Sequence, residues 1–271
     1  MTIETMHFQK VRFLIYQSFK TTSIVDRRDT TTLKFLRDYE GVLSEHNAQN
    51  SNQNNLEKPF MWFDAFEKKS CLPCCSGSKT NSTSLEFELV CVRWNIASLL
   101  AYLGGKALEN EPTDEQLKQS VSYFQEAAGI FSALRAFGSI FRVENATNDM
   151  EDETLAALEK YCLSGAQAAY MVKITSNQTK AKLAHGAYHL LTAVSGDCPI
   201  SIIDDARHKS KFFLSNAHFY QGKHDAEEAK HGLVVARYKK ALDISESIKN
   251  VSLVKLFFVE INIILAECVL H

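Results

Sequence analysis

Residues 85–103 read LEFELVCVRWNIASLLAYL, and this stretch decides the fold. Wound as a helix at 3.6 residues per turn, Phe87, Leu89, Val90, Val92, Trp94, Ile96, Leu99, Leu100 and Leu103 spread over nearly the whole circumference. A helix apolar on every side is stable in water only when other elements enclose it. The chain is therefore expected to build a layer of helices around residues 86–103. Gly104-Gly105 follows at once and reads as a C-terminal stop or weak point.

Working outward, residues 112–116, PTDEQ, form a helix start. Thr113 is the N-cap, and Gln116 three positions on completes a capping box. Leu117, Val121, Phe124, Ala128, Phe131, Leu134 and Phe137 then share one stripe. Asn148-Asp149 opens a further helix, with Leu155, Leu158, Cys162, Gly165, Ala169 and Val172 expected to face inward. Its small residues Gly165, Ala166, Ala168 and Ala169 allow a neighbour to approach closely. A break at Ser176-Asn177 leads to a helix over 180–193. Pro199 starts one to about Gln221, and Asp225 starts another to about Lys249. Toward the N-terminus, residues 3–20 and 30–46 read as helices, the second carrying Leu33, Leu36, Tyr39 and Leu43 on one face. The polar run HNAQNSNQNN (46–55) reads as a flexible loop, Pro59 to Phe63 as a packed aromatic segment, and Ser70 to Ser84 as irregular chain.

With 4 Pro and 11 Gly in 271 residues, turn-makers are too few for many short strands. The expectation is an all-α fold, an array of antiparallel helical hairpins like a tetratricopeptide solenoid but without a fixed repeat, with room for minor strand content near the N-terminal third. A formal charge of -2 and no basic run argue against nucleic acid as a partner. The N-terminus lacks the apolar core and cleavage site of a signal peptide, and Thr2 is not the glycine that myristoylation requires. The apolar stretch 251–270 carries Lys255, Glu260, Asn262 and Glu267, which speaks against a membrane span. The 7 cysteines are thus expected to be reduced, and the sequons at Asn81, Asn145, Asn177 and Asn250 to be chance matches.

Catalytic candidates fall away one by one. Cys71-Leu72-Pro73-Cys74 is a CxxC without the second ligand pair that zinc needs. His185 and His189, at i and i+4, have no acid at a ligating spacing and read as a surface or core pair. Glu151, Asp152 and Glu153 sit at a helix start, where the dipole accounts for them. Phosphate-binding glycine loops and a GxSxG elbow are absent from the sequence. Cys268-Val269-Leu270-His271 has the shape of a prenylation box with an unsuitable last residue. The reading is a binding protein with no catalytic residue, metal, cofactor or small-molecule substrate.

Four segments, in order, carry a family resemblance. Residues 60–66, FMWFDAF, resemble the W-x-D-A-F segment of Bro domains, and residues 87–100, FELVCVRWNIASLL, resemble that family's central helix. Residues 123–131, YFQEAAGIF, are similar to its FQ-x-A-A-G-x-F signature. Gly165-Ala166-Gln167-Ala168 followed by Lys180-Ala181-Lys182-Leu183-Ala184 resembles its A-Q-A-Q-E and A-K-L-A pair. The resemblance covers about 33–249. It implies a Bro-like helical domain over 1–250, with 251–271 a divergent C-terminal helix. It further implies a cytoplasmic scaffold, recruited to endosomal membranes, that binds the C-terminal amphipathic helix of ESCRT-III subunits of the charged multivesicular body protein class. A rhophilin-type signalling module with other partners is the alternative within the same family. Carried over by the resemblance, the binding residues are Asp114, Lys118, Tyr170, Lys173, Thr179 and Leu183. In the hairpin array, 114–118 should lie beside 170–173, with the next helix bringing Leu183 alongside.

Overall fold

The computed structural model describes residues 28–49, 55–66, 78–109, 111–194 and 196–248. The helices expected at 3–20 and 251–271, the CxxC and the prenylation-like terminus lie outside the described residues. The chain divides into two compact units, the first comprising Met1–Lys106 and Tyr123–Glu159, the second Ala107–Ser122 and Lys160–His271.

In the first unit, helix α1 (Thr30–Gln49) is followed by strands β1 (Asn55–Phe63) and β2 (Lys79–Ser84) and by helix α2 (Leu85–Lys106). Helix α3 (Asp114–Leu134) supplies its later turns to this unit. A 3₁₀ turn at Arg135–Phe137, helix α4 (Gly138–Val143) and the start of helix α5 (Asp152–Lys173) complete it. Asp29 caps α1, its Oδ1 accepting the Thr32 N–H at 2.7 Å. Helix α2 is enclosed as its composition demands, with Phe87, Val90, Ala97 and Leu100 wholly buried. By length and composition α2 could cross a membrane, yet two thirds of it (67%) is covered by protein, which marks a core helix. Tyr39 of α1 donates to Glu88 of α2 at 2.6 Å, and Arg93 pairs with Glu40 at 2.7 Å on the rim of the same contact.

One buried carboxylate ties the aromatic centre together. Asp149, ahead of α5, accepts the Trp62 indole N–H from β1 at 3.2 and 3.3 Å, the Ala65 N–H at 3.0 Å and the Thr147 hydroxyl. Its backbone carbonyl accepts the Trp94 indole N–H from α2 at 3.2 Å. The Trp62 and Trp94 rings meet edge to face at 5.5 Å, and Phe131 packs edge-on to Trp94 at 6.0 Å.

The second unit holds the first turns of α3, the end of α5, and helices α6 (Asn177–Thr192), α7 (Ile200–Glu227) and α8 (His231–Glu246). Helix α7 packs on α6 and on α8. Phe219, Val234, Tyr238 and Ala241 form its α7–α8 core. Gly222 makes this approach feasible, because a Cβ there would stand 2.8 Å from the Tyr238 ring.

Several expectations are corrected. Helix α1 runs through Gln49 into the stretch read as a loop, and residues 79–84 form a strand paired antiparallel with β1. Gly104-Gly105 lies just inside the end of α2, which stops one residue on, at Lys106. Gly104 admits the Phe124 ring, 3.1 Å from where a Cβ would be. Asp225 starts no helix. It lies buried inside α7, accepts from Gln221 at 3.0 Å and faces Arg237 at 3.6 Å, and the turn falls at Ala229 (φ 54°). Val172, expected inward, is 56% exposed in the last turn of α5.

Burial pushes the Asp149 carboxyl above its ordinary value of 3.8, against the pull of its hydrogen bonds from Thr147, Ala65 and Trp62. The folded chain therefore holds this proton more tightly than the unfolded chain. The contribution is full below 3.8 and is lost as pH rises through the folded value. In urea unfolding, the wild type should lose stability relative to Asp149→Asn as pH rises through that window. Asp149→Ala, which strands the buried Trp62 and Thr147 donors and releases the Ala65 N–H, should cost about 3–5 kcal/mol at neutral pH. In the second unit, Gly222→Ala should cost about 1–3 kcal/mol in a thermal melt, since the rigid Tyr238 ring cannot yield.

Candidate partner-binding site

The site is built from two helix ends of the second unit. The start of α3 is fixed by a reciprocal cap. The Thr113 N–H donates to Gln116 Oε1 at 2.8 Å, and the Gln116 N–H donates to Thr113 Oγ1 at 3.3 Å. That start sets the helical phase, so Leu117 and Val121 fall one turn apart on one side, with Lys118 beside them. From α5 come Ala169, Tyr170 and Lys173, again one turn of helix. These six residues line an open pocket of about 180 Å³. Its walls are the Leu117, Val121 and Ala169 side chains and the Tyr170 ring, with the Lys118 and Lys173 side chains completing the lining. Tyr170 is 45% exposed, so its ring is open to solvent.

Of the six residues expected at the site, Lys118, Tyr170 and Lys173 share this pocket. Asp114 is exposed at the first position of α3, one turn before Lys118. Lys118 also pairs with Glu115 at 3.4 Å, an exposed i,i+3 contact of little energetic weight. Thr179 and Leu183 are half-buried on α6 and do not line the pocket. Thr179 is occupied with the helix start. Its N–H donates to Ser176 Oγ at 3.3 Å, and its hydroxyl lies 3.2 Å from the same oxygen. Leu183 lies one turn further on. Leu117, Val121 and Ala169 were legible as an apolar stripe and a small-residue face but carried no sign that they border an opening.

Other features of the described residues offer less. A cavity of about 510 Å³ in the first unit is lined by Arg135, Asp152 and Thr147 among others, and Arg135 is already engaged by Asp152 at 2.8 Å and Glu159 at 3.5 Å. His185 and His189 meet edge to face at 4.3 Å on the exposed side of α6. Cys91 and Cys162 are buried, which pushes both thiols up, Cys162 to about 12, so neither is a ready nucleophile.

The family model of the BRO1-like domain matches residues 12–265. The chain is 27% identical over 239 residues to the mouse Programmed cell death 6-interacting protein, a match covering 84% of this chain and 27% of that protein. It is 28% identical over 207 residues to the Vacuolar protein-sorting protein BRO1 of Gibberella zeae, over 70% of this chain and 19% of the relative. It thus spans about a quarter or less of the length of these relatives. Among solved structures, the ALIX BRO1 CHMP4C complex superposes with a TM-score of 0.79 at 21% identity, covering 97% of this chain and 77% of that one. That likeness establishes the helical fold.

Proposed function

The chain belongs to the BRO1-like domain family, and on that premise we propose that it is a protein-binding scaffold of endosomal sorting. Its partner is the C-terminal amphipathic helix of an ESCRT-III subunit, received at the pocket of Leu117, Val121, Ala169 and Tyr170. The observation that carries this reading is the chemistry of that pocket: an exposed aromatic ring and aliphatic walls, with Lys118 and Lys173 at the edge. A helix with an apolar stripe and acidic flanks fits such a surface, the apolar anchors giving affinity and the lysines orientation and on-rate. At about 180 Å³ the pocket has room for one bulky side chain. Small-molecule sites usually enclose about 300–1,000 Å³. At this pocket the role is therefore to receive a side chain rather than a small-molecule substrate. The solved BRO1 domain in complex with CHMP4C supports the choice of partner class. Asp114, Thr179 and Leu183 extend the surface beyond the pocket, Leu183 as a second apolar anchor. The working location is the cytoplasm, with recruitment to endosomal membranes through the partner.

A second reading, a signalling module of the rhophilin type with non-ESCRT partners, is favoured by Thr179. Its hydroxyl, 3.2 Å from Ser176 Oγ, makes the surface beside the pocket polar.

Titration calorimetry with an ESCRT-III tail peptide separates the two. Leu183→Asp and Tyr170→Asp should each weaken binding at least tenfold, equivalent to about 1.4 kcal/mol or more, with the thermal melt unchanged. Unchanged affinity in both variants would remove this surface as the site. A folded wild-type chain that binds no tail peptide would favour the second reading.

A further inference from the structure

We infer that Tyr170 is a phosphate-acceptor site, and that its phosphorylated side chain, held by Lys118 and Lys173, closes the pocket to an apolar partner. The consequence for binding rests on the function proposed above. The chemistry of the clamp does not.

Three observations meet at this residue. Tyr170 is 45% exposed although it is one of the pocket's own walls, so its ring can be reached from solvent. It lies in the last turn of α5, which ends at Lys173. Its carbonyl accepts a long terminal hydrogen bond, 3.3 Å from the Ile174 N–H. That turn can open at small cost, as an enzyme acting on an extended segment requires. Finally, Lys118 and Lys173 line the same pocket as the ring. Lys118 is occupied only by an exposed contact to Glu115 at 3.4 Å, which a dianion can displace.

In the transfer, the phenol oxygen of Tyr170 attacks the γ-phosphorus of ATP in the active site of a tyrosine kinase. The new O–P bond forms as the bond to the bridging oxygen breaks. ADP leaves, and the phenolic proton passes to the kinase's base. The product carries close to two negative charges and three acceptor oxygens. Asp114, Glu115 and the C-terminal end of the helix dipole oppose that charge. Lys118 and Lys173, whose side chains line the same pocket, favour it and draw it over Leu117 and Val121. A face that offered apolar contact then presents a solvated anion, and an acidic partner helix is repelled.

The full chain is treated with a broad-specificity tyrosine kinase domain and ATP, with Tyr170→Phe as control, and mapped by mass spectrometry. Chain carrying phosphotyrosine at 170 is then titrated by phosphorus NMR and against the ESCRT-III tail peptide. Expected are labelling of Tyr170 in the folded chain and at least a tenfold loss of peptide affinity. The phosphate's second ionisation should fall below the free value of about 6 and return toward it in Lys118→Ala/Lys173→Ala. Labelling only of denatured chain, a second ionisation at the free value, or peptide affinity unchanged by the phosphate would each overturn the proposal. Should the unmodified chain bind no tail peptide, the functional reading fails, and the phosphorus titration then decides the clamp alone.

Discussion

Helix α2 has only one narrow side that water can face, the line of Asn95, Ser98 and Tyr102, and the first unit is organised by that constraint. Residues on every turn of 85–106 are buried, so α1, the β1–β2 pair and the later turns of α3 must each supply a wall. Packing of apolar side chains provides the drive but little direction. Direction comes from polar groups that have to be satisfied inside, above all Asp149. Its carboxylate receives the Trp62 indole and its carbonyl receives the Trp94 indole, so a strand, the core helix and the entry to α5 are held in one register. The hydrogen bond from Tyr39 to Glu88 does the same for α1. An apolar enclosure could slide, whereas one pinned by buried hydrogen bonds has few alternatives.

The second unit follows a different logic. Its helices are narrower in their apolar faces, and close approach is secured by small residues such as Gly222 beneath Tyr238. Where the early turns of α3 meet the last turn of α5, a shallow pocket opens over the largely buried Leu117, Val121 and Ala169. Tyr170 closes one side of it and stays half in water. The pocket is therefore a by-product of helix ends, and helix ends also have the most adaptable backbone. On the function and modification proposed here, recognition and its control fall on the same turn of helix.

Much of the fold was legible in the sequence because apolar periodicity is strong there. Leu33, Leu36, Tyr39 and Leu43 are all buried, as their spacing implied, and Thr113 with Gln116 makes the capping box that the spacing required. Strand β2 was not legible. KTNSTS has no apolar residue, and its Thr80 and Ser82 are buried only because β1 lies alongside. Asp225 looked like a helix start because aspartate favours that position, but its role is set by Gln221 and by Arg237, a partner in another helix. At the site, periodicity could not say that Leu117 and Val121 border an opening rather than fill a core. The grouping of Lys118, Tyr170 and Lys173 came from the family resemblance, not from spacing.

The central claim is that the opening between the start of α3 and the end of α5 receives an apolar stripe of a partner helix. Methyl NMR on the full chain, titrated with an ESCRT-III tail peptide, examines that surface directly. The methyl signals of Leu117, Val121 and Ala169 should move together and saturate at one affinity, while those of buried Leu100 and Ala97 stay in place. Shifts that saturate elsewhere on the chain with these three unmoved would contradict the account.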